Sequence, residues 1–150
     1  MAIQLAVASE ATVIATAASG AETDHVRRLG AAHVVDHTGD LLAQVRDIAP
    51  AGVEAVLHLA GDPATLASLL VPGGRFATLL NAVPDPMPGR SITAASVIAD
   101  PHPAVLDRLA ADVAAGRLTI PEQRTYSLDG VSKAFEDFAA GTLGKLAVRI

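Results

Sequence analysis

The chain contains no cysteine and no tryptophan, and its other aromatic residues are one tyrosine and three phenylalanines. Without cysteine there is no disulfide, no thiolate nucleophile and no Cys-ligated zinc, which suits a reducing compartment. A cytoplasmic location is expected on that ground. With aromatics at 3%, a core must be assembled from Ala, Val, Leu and Ile, the palette of a buried parallel sheet under Ala-rich helices. Positive charge is also scarce. A net charge of -5 and a pI near 5.4 exclude a broad basic surface, so no nucleic-acid partner is expected. No run reaches the roughly 18 uninterrupted apolar residues of a membrane helix. The opening MAIQLAVASEA lacks the basic leader of a signal peptide and reads as a core helix, so no membrane association is expected. The glycine patterns that cradle phosphate, G-x-G-x-x-G and G-x-x-x-x-G-K-[ST], are missing, as is the G-x-S-x-G elbow.

What remains is a chain of 150 residues, 51% hydrophobic and 18% charged, long enough for one sizeable core. Its apolar segments alternate in type. After the first helix, residues 12 to 17 are β-branched and short, as in a buried strand. Ser19 then stands three residues before Glu22, the spacing of a capping box, and opens a helix that stops at Gly30. A strand at His33 to Asp36 leads to a helix near Asp40 to Ile48 and a strand at Glu54 to Leu59. Asp62-Pro63, an N-cap followed by proline, starts a helix to Leu70 or Val71, and Pro72-Gly73-Gly74 turns the chain into a strand at Arg75 to Leu80.

A Pro-rich loop, Asn81 to Arg90, precedes a strand at Ser91 to Ile98. Asp100-Pro101 repeats the cap-and-proline device for a helix through Val105, Leu106, Leu109 and Val113 to Gly116. Thr119 to Tyr126 reads as extended. Ser127 or Asp129 caps a helix with Val131, Ala134, Phe135 and Phe138 inward, and Lys145 to Ile150 closes the chain as a strand. Alternation over the whole length predicts an α/β fold of the Rossmann-like, doubly wound kind, a parallel sheet with helices on both faces.

The segments MAIQLA, TVIATAAS, HVRRLGAAHVVDHT, VPGGRFATL, AADVAAGRLTI and GTLGKLAVRI, in this order, resemble the C-terminal, nucleotide-binding half of the medium-chain dehydrogenase/reductase superfamily, in particular its zinc-independent quinone oxidoreductase branch. The resemblance implies a first strand and a glycine-rich turn before MAIQLA, and a GroES-like catalytic half further upstream. Neither is in these 150 residues, so a truncated dinucleotide-binding domain is expected, with a vacant slot between the strands at 12 to 17 and 54 to 59. The last strand would likewise lack the catalytic half it joins in the family.

NAD-preferring Rossmann domains usually place a carboxylate at the end of the second strand to bind the ribose hydroxyls. Ala17, Ala18 and Ser19 offer none, so NADP is the expected cofactor. By resemblance, Ser19 and His37 stand beside the 2'-phosphate. The alternatives are a helix cap for Ser19 and an exposed loop histidine for His37; Arg27 and Arg28 lend positive charge or form a solvated helix face. Ala60 and Gly61 fit the adenine-side wall. Leu80 and Asn81 end the strand where a nicotinamide would lie, with Ser96 and Val97 lining the same crevice, and Asn81 is either a carboxamide ligand or a turn residue. Gly144-Lys145 match a family motif beside the cofactor, against a C-cap glycine followed by an exposed lysine. His33 and His37, four apart on extended chain, make no zinc pair, and no metal is expected. No catalytic acid or base stands out. The resemblance implies hydride transfer from NADPH to a quinone or enone in a cleft between two halves, and a homodimer formed through the edge at Ser91 to Ile98. The other reading is a non-catalytic module that self-associates through that edge.

Overall fold

The computed structural model describes residues 1–85, 91–99 and 102–150. In chain order the elements are α1 (Ala2–Ala8), β1 (Ile14–Thr16), α2 (Gly20–Arg28), β2 (His33–Val35), α3 (Leu41–Ile48), β3 (Val53–His58) and α4 (Pro63–Ala67). They continue with β4 (Leu70–Thr78), β5 (Thr93–Ser96), α5 (Pro103–Ala114), β6 (Glu122–Ser127), α6 (Val131–Ala139) and β7 (Lys145–Arg149). The α/β alternation read from the sequence is therefore present.

Helices begin where a side chain offers an acceptor to the free N–H groups of the first turn. Ser19 Oγ accepts from Glu22 N–H at 3.2 Å, Asp40 Oδ1 from Ala43 N–H at 3.0 Å and Asp62 Oδ2 from Thr65 N–H at 2.7 Å. For α5 the device falls two residues later than expected. His102 Nδ1 accepts from Ala104 N–H at 3.3 Å and Pro103 takes the first helical position, while Asp100 and Pro101 lie outside the described residues. For α6 neither Ser127 nor Asp129 caps. A single 3-10 turn, Leu128–Gly130, winds the chain into the helix, and Val131 N–H reaches back to Leu128 O instead.

Strand pairing explains the other departures. The helix expected to reach Leu70 or Val71 stops at Ala67, because Leu70 is already paired with Val53 as the start of β4. Pro72-Gly73-Gly74 is thus a bulge inside β4, not a turn before it: Val53 pairs with Leu70 and Ala55 with Arg75. Gly73 has φ +81°, a left-handed conformation that accommodates the extra residues of the bulge. The strand expected at Ser91 to Ile98 is confined to Thr93–Ser96, and the one expected at Thr119 to Tyr126 runs Glu122–Ser127. Of the Pro-rich loop, residues 86–90 lie outside the described residues.

Among the described residues the strands form three sheets, β1-β2, β3-β4-β5 and β6-β7; the pairs β3-β4, β4-β5 and β6-β7 are parallel. β1 is not a hydrogen-bonded neighbour of β3. The chain divides into two compact units. One comprises Met1–Ala15, Ser19–Ala32 and His102–Ile150; the other comprises Thr16–Ala18 and His33–Pro101. The second unit is built on Ala67, Leu70 and Phe76, all at most 2% exposed, with Val53, Val56, Leu66, Ile92 and Ala94 packed around them.

In the first unit α6 lies against β6 and β7 through Ala134 and a polar cluster. Asp137 accepts from Lys133 Nζ at 2.8 Å, Tyr126 Oη at 2.5 Å and Arg124 Nη1 at 2.5 Å. These bonds turn the face of Ala134 and Asp137 toward the sheet. Phe135 and Phe138, expected inward, are consequently 69% and 67% exposed. The Lys133 and Tyr126 hydrogen bonds hold the Asp137 carboxyl at a pKa of about 2, below its ordinary 3.8. A carboxyl lowered on folding stabilises the fold above its unfolded pKa, and that contribution fades as pH falls toward the folded value. The urea midpoint of the native chain should exceed that of Asp137→Asn by a constant margin above pH 5. That margin should close between about pH 4 and 2.

Candidate functional site

Because β3, β4 and β5 run in the same direction, their carboxyl ends share one edge, with His58, Thr78 and Ser96 side by side in the register. The chain leaving this edge forms a lip of Leu59, Ala60 and Gly61, then Leu79, Leu80 and Asn81, then Val97 and Ile98. Carboxyl ends of parallel strands are where open α/β sheets bind ligands. Leu59, Leu79 and Leu80 are each more than half exposed, an apolar row held out to solvent. Gly61 and Asn81 both take left-handed backbone, φ +89° and +54°. Asn81 thus has turn-like backbone, and its exposed amide sits on the lip. A Cβ at Gly61 would meet only Leu66 Cδ1 at 3.9 Å, so the backbone there stands open to a ligand.

Under the lip lies a group that the apolar pattern of β3 had hidden. His58 and Thr78 are 1% and 0% exposed, and His58 Nδ1 lies 2.9 Å from Thr78 Oγ1. His58 Nε2 lies 3.1 Å from Gly61 O, and Leu80 N–H donates to Thr78 Oγ1 at 3.1 Å. The imidazole packs on Phe76 with ring centroids 5.5 Å apart.

The second pair of expected contacts sits at the ends of β1 and β2. Ala17 N–H donates to Val35 O at 3.0 Å, which sets Ala18 and His37, both exposed, just beyond paired backbone in the same unit. Asp36, between them in the chain, is occupied by its own turn. Its Oδ1 accepts from the Thr38 hydroxyl and amide, which hold the carboxyl below its ordinary pKa, with His37 adding a smaller effect. The Gln44 amide grips the Asp36 backbone, accepting from its N–H at 2.8 Å and donating to its carbonyl at 2.9 Å. This clamp was not visible in the sequence, since a glutamine on a helix carries no mark of its target.

Ser19 and Lys145 belong to the other unit. Ser19 does act as the cap, its hydroxyl oxygen accepting from Glu22 N–H. Arg27 and Arg28 lie in the last turn of α2, where cations complement the helix dipole. Lys145 is exposed at the start of β7. Gly144 is not a C-cap; Gly141, at φ +97°, has that position after α6. Gly144 is instead required by close approach. A Cβ there would lie 2.7 Å from Pro121 O, and Gln123 Oε1 accepts from the Leu143 and Gly144 amides. Gly144→Ala should therefore loosen the β6-β7 pair and lower stability by about 1–3 kcal/mol, the usual penalty of overpacking, read from the urea midpoint.

Lys145 and Gly144 also line a hollow of about 550 Å³ in the first unit, walled by Leu29, Ile120, Phe135 and Phe138. Its lining is mostly apolar, with His25, Thr142 and Lys145 among the walls, whereas the lip combines apolar side chains with open backbone. Among the described residues no three His, Asp or Glu side chains converge as a metal site, and the chain has no cysteine.

A sequence model of the family described as zinc-binding dehydrogenase matches residues 29–148. The chain belongs to this family. The match bears out the resemblance to the medium-chain dehydrogenases and reductases, and solved structures share the fold. The quinone oxidoreductase of Coxiella burnetii superimposes with a TM-score of 0.81 at 25% identity, over 99% of this chain and 48% of that one. The alcohol dehydrogenase of Aeropyrum pernix gives 0.78 at 24% identity, over 97% and 45%. A quinone oxidoreductase of Pseudomonas syringae gives 0.78 at 21% identity, over 99% and 52%. The chain thus spans about half the length of these solved relatives. No curated protein sequence matches it significantly. Among the described residues no helix is long and apolar enough to cross a membrane.

Proposed function

We propose that this dehydrogenase-family domain is the cofactor side of an NADPH-linked reductase acting on quinones or enones, with the cofactor rings on the lip of β3, β4 and β5. The observation that carries the proposal is the lip itself. Half-exposed Leu59, Leu79, Leu80 and Val97 stand beside the open backbone of Gly61 and the amide of Asn81, and flat rings bind where apolar walls meet a few polar groups. Leu80 and Val97 shield the nicotinamide from water, and Asn81 bonds its carboxamide. Ala60 and Gly61 admit the adenine side. Just past β1, Ala17 and Ala18 bring no carboxylate to repel a 2'-phosphate, and His37 of the same unit supplies a donor for it. NADPH held there would supply a hydride, two electrons with one hydrogen, to an acceptor carbon, and water would supply the balancing proton.

The test is titration of the purified chain with NADPH and NADH, followed by nicotinamide fluorescence. NADPH should bind the more tightly. Ala18→Asp should remove at least about tenfold of that preference, since a like charge beside the phosphate costs more than 1.4 kcal/mol. No binding at millimolar NADPH would overturn the proposal.

A second reading, self-association, rests on β5. Among the described residues β5 pairs only with β4, and Ile98 beyond it is 83% exposed. An unpaired edge of this kind invites a second copy. Val97 N–H donates to Thr78 O, so by strand alternation Ser96 N–H points to the free edge. Ser96→Pro should then convert a dimer to a monomer in sedimentation while leaving the pairing to β4. A native chain that sediments as a monomer would remove this reading.

A further inference from the structure

We infer that His58 is a positioning residue that locks the two halves of the lip into one rigid edge, acting as a neutral imidazole protonated on Nε2. Of the two neutral tautomers, the chemistry leaves one. Gly61 O is a carbonyl and can only accept, so the contact at 3.1 Å requires a hydrogen on Nε2. In the neutral ring, whose single N–H hydrogen is then spent on Nε2, Nδ1 is an acceptor and receives the Thr78 hydroxyl proton across 2.9 Å. The same hydroxyl oxygen accepts from Leu80 N–H at 3.1 Å. Four groups therefore form one directed chain, from Leu80 N–H through Thr78 Oγ1 and the imidazole to Gly61 O.

The chain of bonds ties the backbone after β3 to the backbone after β4 through two side chains that water does not reach. Buried polar groups of this kind are costly when half satisfied and rigidifying when complete, and no buried side-chain polar atom among the described residues lacks a partner. Both anchored points are conformationally demanding. Gly61 is left-handed, and Leu80 directly precedes left-handed Asn81. A loop that must hold such backbone needs outside support, and the relay provides it at each side. Thr78 Oγ1 is the joint, since it alone touches both the ring and the Leu80 amide.

The role of His58 in ligand binding rests on the cofactor reading given above, whereas the relay itself does not. The first measurement is therefore ligand-free. Nitrogen-15 shifts of the His58 ring should show the Nε2–H form. His58→Phe keeps a ring against Phe76 but removes both bonds, and should speed amide exchange at Leu80 at least tenfold, although residue 58 does not touch that amide. Thr78→Val should do the same, and the double variant should add little to either. His58→Gln can still donate toward Gly61 O and should restore most of the protection.

The second measurement is NADPH titration of the same variants. His58→Phe and Thr78→Val should each weaken binding about five- to tenfold, non-additively, with partial rescue by His58→Gln. An Nδ1–H ring, or Leu80 exchange unchanged in His58→Phe, would overturn the relay whatever the binding data. An intact relay in a chain that binds no NADPH would overturn the cofactor reading and, with it, the positioning role. Should the phenylalanine variant not fold, Thr78→Val and His58→Gln carry both measurements alone.

Discussion

Phe76→Ala should destabilise the chain by about 3–5 kcal/mol, the cost of emptying a buried aromatic site. Phe76 is 1% exposed and at the centre of the small core formed with Ala67 and Leu70. It also stacks on His58, so truncation removes the wall that orients the imidazole. Because a domain's stability is typically about 5–15 kcal/mol, a loss of this size leaves the second unit loosely packed at room temperature. NADPH binding should disappear with it. Phe76→Leu, which keeps most of the volume, should lose less than half as much. Urea denaturation followed by circular dichroism reads the difference, and a loss below about 1 kcal/mol for alanine would show that this core does not hold β3 to β4.

Gly52→Ala should be nearly as damaging, for a different reason. Gly52 has φ +102°, and a Cβ there would lie 2.6 Å from Leu69 O. That oxygen accepts from Val53 N–H at 2.8 Å, the bond that begins the pairing of β3 with β4. Alanine therefore brings backbone strain of about 1–2 kcal/mol and a clash with backbone that cannot yield without breaking the register. The expected loss is on the order of 3 kcal/mol. Gly73→Ala is the control. It too has a positive φ, +81°, but nothing lies within 4 Å of the added carbon. Only the strain term should appear there. Equal losses at the two positions would mean that the contact with Leu69 is unimportant.

What the sequence disclosed and what it hid follow from the range of the interactions. The caps at Ser19 and Asp62 were legible because donor and acceptor lie three residues apart. The bulge at Pro72-Gly74 was not, since a proline and two glycines spell a turn until the partner strand fixes Leu70 opposite Val53. Phe135 and Phe138 carried a sound helical pattern, yet a pattern says only that apolar residues share a face. The bonds from Tyr126 and Arg124 to Asp137 decided which face meets the sheet. Gly144 was visible as a glycine and misread in cause, because Pro121 lies far from it in the chain. His58 is the largest omission. A histidine ending an apolar strand carries no signal until the register sets Thr78 beside it.

The same reasoning applies to the lip. Gly61, Leu80 and Asn81 could be named from strand ends alone, because parallel strands deliver their carboxyl ends to one edge. Their backbone conformations and the relay beneath them required the fold. At Ser19 the cap reading is the one the fold displays: its oxygen accepts from Glu22 N–H.

The most direct test of the account is an amide chemical-shift map of the chain during NADPH addition. Cofactor on the lip predicts progressive shifts at Gly61, Leu80, Asn81 and Val97, together with Ala18 and His37 at the ribose side. Shifts confined to the hollow around Phe135 and Phe138, or no shifts at millimolar NADPH, would contradict it.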